Sequence, residues 1–179
     1  MDANTLFYIQ LGIGLLLIGA MLFVILVFLL PPFMGPPYVP SSGAVVAKML
    51  QLAQVKEGER MVDLGSGDGR IVMTFAKAGI EAHGYEINPT LVLASRLAIR
   101  AHGLRGKAFI HWRSFMGIDF SKFDIVAIYT LPRIMETLEA RIQKELPPGG
   151  RVVSNTFSFK NWPVDKKEDK VFLYKVDRG

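Results

Sequence analysis

Val62-Asp63-Leu64-Gly65-Ser66-Gly67-Asp68-Gly69-Arg70 reads as an apolar strand that ends on an acidic residue and opens into a loop with glycine at every second position. Glycines at 65, 67 and 69 admit positive φ and let a ligand approach main-chain atoms that a Cβ would shield. A strand feeding such a loop and then a helix marks a nucleoside-cofactor pocket. The spacing narrows the ligand. A dinucleotide fold places a third glycine where the helix packs on the strand, and here that position is Arg70. An acidic residue two positions before the first glycine suits a cofactor with a cationic amino-acid end and no pyrophosphate.

Outward from this loop the chain alternates strand and helix. The pattern predicts strands at 60–64, 81–86, 107–112, 124–129 and 151–157, with helices at 71–77, from Pro89 to near Gly103, and at 132–146. Asn88-Pro89 is an N-cap followed by proline at the first helical position. Met135, Leu138, Ile142 and Leu146 recur at helical spacing and are core. Pro147-Pro148-Gly149-Gly150 breaks the chain before the fifth strand, and a last strand over 170–176 follows a short irregular segment. Ahead of the loop, Ser41 or Ser42 caps a helix over 43–54. Repeated units of this length imply an α/β domain with a doubly wound, mostly parallel sheet.

Ligands of such sheets bind outside the carboxyl ends of the strands at the topological switch point. Asp63 with Gly65, Ser66, Gly67 and Gly69 closes the first strand. Glu86 closes the second, 23 residues later, where its carboxylate can accept both hydroxyls of a ribose, with Ile87 and Asn88 beside it. Ser114 and Phe115 follow the third strand, where an adenine would be flanked. Asp68 and Arg70 are spaced for a local ion pair at the helix start.

The first 40 residues belong to something else. From Leu6 to Leu30 no side chain is charged, Gln10 is the strongest polar interruption, and the run is roughly 37 Å long as a helix at about 1.5 Å per residue. It lacks a basic leading segment and a small-residue cleavage site, which predicts an uncleaved single-pass transmembrane anchor over 1–30. Residues 31–40 hold five of the ten prolines and form a semi-rigid linker, leaving 41–179 as the folded domain. Asp2 is the sole charge before residue 41, so the remaining residues carry 21 Lys and Arg against 15 Asp and Glu. That excess places the domain on the cytoplasmic side, or its organellar matrix equivalent, and suits anionic headgroups. With no cysteine, disulfides and thiolate chemistry are excluded. His83, His102 and His111 lack metal-ligand spacing, so no metal is expected.

The acidic residue, the glycine loop, Glu86 and the Pro-Gly-Gly break together resemble the seven-strand S-adenosylmethionine methyltransferases, a Rossmann-like fold. Tyr38-Val39-Pro40-Ser41, the run from Val62 to Val72, Gly84-Tyr85-Glu86-Ile87-Asn88-Pro89, Ser154-Asn155 with Phe157, and Trp162-Pro163 narrow this. They resemble the membrane-anchored protein-lysine methyltransferases of mitochondria and their prokaryotic relatives, which modify the adenine nucleotide translocase or the ATP synthase c-subunit. The resemblance spans about residue 38 to the end. It implies S-adenosylmethionine as cofactor, with Tyr38 and Ser41 folded over it, and a membrane-associated protein presenting a lysine as substrate. Two positions depart from the pattern: Ser114 stands where aspartate is frequent, and Tyr129-Thr130-Leu131-Pro132 replaces a phenylalanine-glycine-valine type of run. On this reading Tyr129 orients the amine in a channel lined by Thr130, Pro132, Asn155, Phe157 and Trp162.

Two other functions remain open to the sequence: methylation of a membrane-embedded small molecule such as a quinone or lipid, and a non-catalytic scaffold that binds cofactor without turnover. A base-modifying enzyme would show Asn or Asp before Pro-Pro-aromatic after the fourth strand. That motif is absent, as is an arginine–aromatic stripe, which argues against a nucleic-acid partner.

Overall fold

The computed structural model describes residues 2–25 and 39–177. The chain divides into two compact units, 1–37 and 38–179. The first contains α1, Ala3–Val24, a 22-residue helix opened by Asp2, whose carboxylate accepts from the Thr5 amide. It is long and apolar enough to cross a membrane by length and composition. Most of the proline segment, and Tyr38 with it, lies outside the described residues.

The second unit is built on seven strands in the order β3-β2-β1-β4-β5-β7-β6. They are β1 Arg60–Leu64, β2 Glu81–Glu86, β3 Ala108–Trp112, β4 Ile125–Ile128, β5 Arg151–Asn155, β6 Lys166–Glu168 and β7 Val171–Lys175. The first five are parallel, and β7 inserts antiparallel between β5 and β6. The sheet is therefore the mostly parallel, doubly wound one that the alternating pattern predicts. From β1 the chain winds outward through α3, Arg70–Lys77, to β2, and through α4, Pro89–Ala101, to β3. It then returns to lay β4 on the other side of β1, which creates the switch point at the carboxyl ends of β1 and β4.

Alternation along the strands separates two apolar layers. Met61, Ala82, Ile110, Ala127 and Val153 face α3, α4 and the helix α2, Gly43–Ala53. Val62, Leu64, Val126, Ile128 and Val152 face α5, Pro132–Glu145. The helices follow from capping as much as from periodicity. Ser42 accepts from the Val45 amide at the head of α2, and Asn88 accepts from Thr90 at the head of α4. A buried ion pair fastens the layers at the amino ends of the strands: Arg151 on β5 pairs with Glu59 and also donates to the carbonyl of Gln54, the C-cap of α2.

Three expectations change. β5 stops at Asn155 rather than Phe157, because Thr156 takes a left-handed φ of 69° that no strand continues. The segment read as irregular contains the edge strand β6, which turns into β7 through Asp169 at φ 52°. Trp162 lies in the apolar layer against Phe159 and Tyr174, and its indole N–H donates to the carbonyl of Lys175. Lys175 pairs with Arg151 at the amino end of β5, so Trp162 sits at the end of the sheet opposite the switch point and lines no substrate channel there.

Arg151→Met should destabilise the domain by about 3 kcal/mol, because it strands the largely buried Glu59 carboxylate. Chemical denaturation of the full chain in detergent would measure this.

Candidate cofactor and acceptor site

The loop after β1 is shaped by strand β2. Its amides at Gly65 and Ser66 both donate to the carbonyl of Tyr85 at 3.0 Å, and the Gly67 amide donates to Oε2 of Glu86 at 2.9 Å. The other oxygen of Glu86 accepts from the Asn88 amide at 2.7 Å. One carboxylate thus pins the turns after β1 and β2 and keeps its remaining lone pairs for a ligand. Glycine is required here: Gly65, Gly67 and Gly69 have φ of 88°, 53° and 79°. Gly69 also meets α4 closely, since a Cβ there would come within 2.9 Å of the Ser95 Cβ.

Gly84 is a further site residue whose role the sequence did not disclose. A Cβ on it would lie 2.5 Å from the Ser66 side chain, so only glycine lets the loop settle against β2. A glycine inside an otherwise regular strand pattern is the signal that could have revealed it.

Asp63, the penultimate residue of β1, is almost fully buried, and its Oδ2 has no hydrogen-bond partner among the described residues. Burial pushes its pKa up to about 8, and the charges of Glu86 and Asp68 add to the shift. Ser66 Oγ is a second buried polar atom without a partner among those residues. An unmatched carboxylate, an unmatched hydroxyl and a glycine loop form a cradle for a cationic amino-acid moiety joined to a ribose. The residues fit S-adenosylmethionine.

The structure places the other expected residues as follows. Ser41 is buried; its hydroxyl accepts from Asn155 Nδ2 at 3.0 Å, and its carbonyl accepts from Arg70 at 2.7 Å. Arg70 also pairs with Asp68 at 2.7 Å. The local ion pair therefore forms and at the same time draws the segment before α2 over the loop. Phe115 is half-buried, with a ring carbon 3.9 Å from where a Gly65 Cβ would stand. Ser114 is exposed, and its hydroxyl accepts from the Met116 amide, capping a short 3-10 turn. The side chain of Asn88 is likewise taken up by its capping bonds to Thr90, so its contribution is to aim α4 and the Glu86 turn. Ile87 is exposed beside it.

The residues expected to line the acceptor side stand at the ends of β4 and β5. Tyr129 and Phe157 face each other with ring centroids 6.5 Å apart and planes 22° apart. Thr130 is buried next to them, Asn155 closes β5, and Pro132 is exposed as the first residue of α5.

Residues 63–166, which carry this geometry, match the ANTKMT methyltransferase domain. The chain belongs to that family. It is 38% identical over 128 residues to the lysine N-methyltransferase of the ATP synthase c-subunit from Rattus norvegicus, covering 72% of this chain and 59% of that protein. It is 37% identical over 149 residues to a protein-lysine N-methyltransferase of Saccharolobus islandicus, covering 78% of this chain and 92% of that one. Among solved structures, an RNA methyltransferase from Salinibacter ruber in complex with S-adenosyl-L-homocysteine superposes with a TM-score of 0.76 at 32% identity. That alignment covers 79% of this chain and 95% of the other. The cofactor is S-adenosylmethionine, and the orphaned Asp63 and Ser66 atoms are compatible with it.

The raised pKa of Asp63 has a defined sign. Its folded value of about 8 exceeds the ordinary 3.8, so the contribution of the protonated acid to stability is full below pH 4 and is lost as pH rises toward 8. Asp63→Asn should remove that dependence. Without cofactor, the variant should melt several degrees above the natural protein at pH 8 and close to it near pH 4, while binding S-adenosylmethionine at least tenfold more weakly at pH 8. Scanning calorimetry and titration calorimetry would read the two effects.

Glu86→Gln should weaken S-adenosylmethionine and S-adenosylhomocysteine equally, by about 1–3 kcal/mol, because a ribose contact does not distinguish the sulfonium from the thioether. Titration calorimetry with both ligands would check it.

Proposed function

We propose that this chain is a membrane-anchored protein-lysine N-methyltransferase. The observation that carries the reading is an aromatic pair, Tyr129 and Phe157, at the carboxyl ends of β4 and β5, β4 being the neighbour of β1, in two segments, 129–132 and 152–159, without a charged side chain. The lysine specificity named for the rat and Saccharolobus islandicus relatives agrees with it. So does α1, whose length and apolar composition suit a bilayer span and would hold the domain beside membrane substrates.

Bound S-adenosylmethionine supplies an electrophilic methyl group on a sulfonium. The protein has to present a neutral amine in line with it. At pH 7 a lysine of ordinary pKa must give up a proton at a cost of roughly 4.6 kcal/mol. An uncharged aromatic slot lowers that cost by desolvating the ammonium, which releases its proton to solvent before entry is complete. Tyr129 and Phe157 then hold the alkyl stem and orient the nitrogen, and their faces accommodate the methylated ammonium that forms. Asp63 and Glu86 fix the cofactor so that approach is along one line. No dedicated base is needed.

The Salinibacter ruber protein is an RNA methyltransferase, so RNA is the second reading. One experiment separates them. The full chain, Phe157→Ala and a chain beginning at Tyr38 are incubated with labelled cofactor, then with intact membranes, detergent-solubilised membranes or total RNA, and the label is mapped by mass spectrometry. We expect the full chain to label lysines in both membrane preparations. Phe157→Ala should lose about tenfold in rate with unchanged cofactor affinity, an amount typical of a desolvated cation–aromatic contact. The truncated chain should label solubilised substrate alone, because tethering no longer raises its local concentration to about millimolar. Label confined to RNA, or found in lipid, would overturn the proposal.

A further inference from the structure

Between Glu86 and Asp119 the sequence holds no acidic residue and five cations: Arg96, Arg100, Arg105, Lys107 and Arg113. The rest of the chain carries 16 residues of each sign, so its whole net charge of +5 resides in this one stretch. The stretch runs through α4, the loop after it that carries Arg105 and Lys107, and the edge strand β3 to Arg113 just beyond it. All five cations are exposed, and no ion pair engages any of them among the described residues.

The same surface is apolar where a soluble helix would be polar. Leu93 and Leu97, one turn apart on α4, are 61% and 54% exposed, and Trp112 at the end of β3 is 63% exposed. At about 100° per residue, Arg96, Arg100, Leu93 and Leu97 occupy one continuous quadrant of the helix. Arg96 donates to the carbonyl of Ile110, which shows that this quadrant flanks β3. The indole N–H of Trp112 donates to the carbonyl of Ile87, just before α4, and holds the ring at the same margin.

We infer that this flank of α4 and β3 seats the domain on an anionic lipid bilayer. Aliphatic side chains interleaved with arginines, and a tryptophan whose polar atom is already satisfied, are the composition of a surface that sinks into the headgroup boundary. RNA gives no use to two exposed leucines. A second copy related by a two-fold axis would set the unpaired cations against themselves. The inference rests on the reading of α1 as a bilayer anchor, and it assigns the domain a fixed face toward that bilayer.

The absence of cysteine allows a clean test. Leu97→Cys, and separately Glu136→Cys on the outer side of α5, are given a nitroxide in the full chain reconstituted into vesicles of phosphatidylcholine with or without phosphatidylglycerol. With phosphatidylglycerol, the label at 97 should lose collisions with a water-soluble relaxation agent and gain them with oxygen, while the label at 136 stays aqueous. Replacing Arg100 and Arg105 by Gln should lower the docked-to-undocked ratio about five-fold per cation, leaving S-adenosylhomocysteine binding and melting temperature unchanged. A label at 97 that stays aqueous on both vesicles overturns the inference. So does shielding that ignores lipid charge, shielding by an RNA oligonucleotide but not by vesicles, or dipolar broadening between copies. Flotation and S-adenosylhomocysteine binding are measured on the same samples. Loss of flotation would count against the anchor, whereas flotation with an aqueous label removes this inference alone.

Discussion

Glu86 accepts a hydrogen bond on each carboxylate oxygen, from the amide of Gly67 and from that of Asn88, and so ties together the two turns at the switch point. Parallel pairing of β1 and β2 sets those turns side by side but does not fix their conformation. The carboxylate does so through charge-assisted bonds to backbone, which are short and strong where water is scarce. Gly84 makes the contact possible by leaving room for Ser66, and the Tyr85 carbonyl completes it by accepting two loop amides. A ribose placed at Glu86 would meet an acceptor already oriented by the fold.

Asp63 is the counterpart, a group left unsatisfied so that something else can satisfy it. A carboxylate that burial holds up near pH 8 is a local defect in the free domain, and the fold tolerates it because Arg151, Glu59 and two apolar layers stabilise the sheet elsewhere. An ammonium brought beside Asp63 reverses the balance, since it favours the ionised form that burial disfavours. With the ammonium of S-adenosylmethionine at Asp63, cofactor binding and deprotonation of Asp63 would be coupled. The arrangement recognises charge as well as shape, which is the discrimination a neutral glycine loop could not supply.

The parts of this site that were legible in the sequence are those where backbone geometry dictates residue type. Alternating glycines at 65, 67 and 69 need positive φ, Asn88-Pro89 announces a helix start, and Pro147 to Gly150 ends one. Strand order beyond that follows from the handedness of the crossovers. What the sequence concealed depends on contacts between distant residues. β6 is three polar residues, Lys166 to Glu168, whose strand character comes entirely from pairing with β7. Trp162 looks like a lining residue in a polar, proline-containing segment, yet its ring completes a cluster with Phe159 and Tyr174. Arg70 reads as half of a local ion pair, and only the fold shows it also gripping Ser41.

The histidines show the same limit from the other direction. Their spacing denied them a metal, but the register of β2 against β3 sets His83 and His111 2.9 Å apart between ring nitrogens. Glu81 holds the far nitrogen of His83 at 2.7 Å, and Tyr85 and Phe109 stack on the two rings. These side chains occupy the face of β2 and β3 opposite α4. The crossover from β3 to β4 leaves that face without a helix, supplying instead two 3-10 turns, Phe115–Gly117 and Phe120–Lys122. Stacked rings thus cover what a helix would otherwise cover. The shortened crossover sets Phe115 beside Gly65 in the loop after β1. Arg141 on α5 holds the turn that carries Phe115 in place by donating to the carbonyls of Met116 and Ile118, and α5 itself begins at Pro132, three residues after Tyr129.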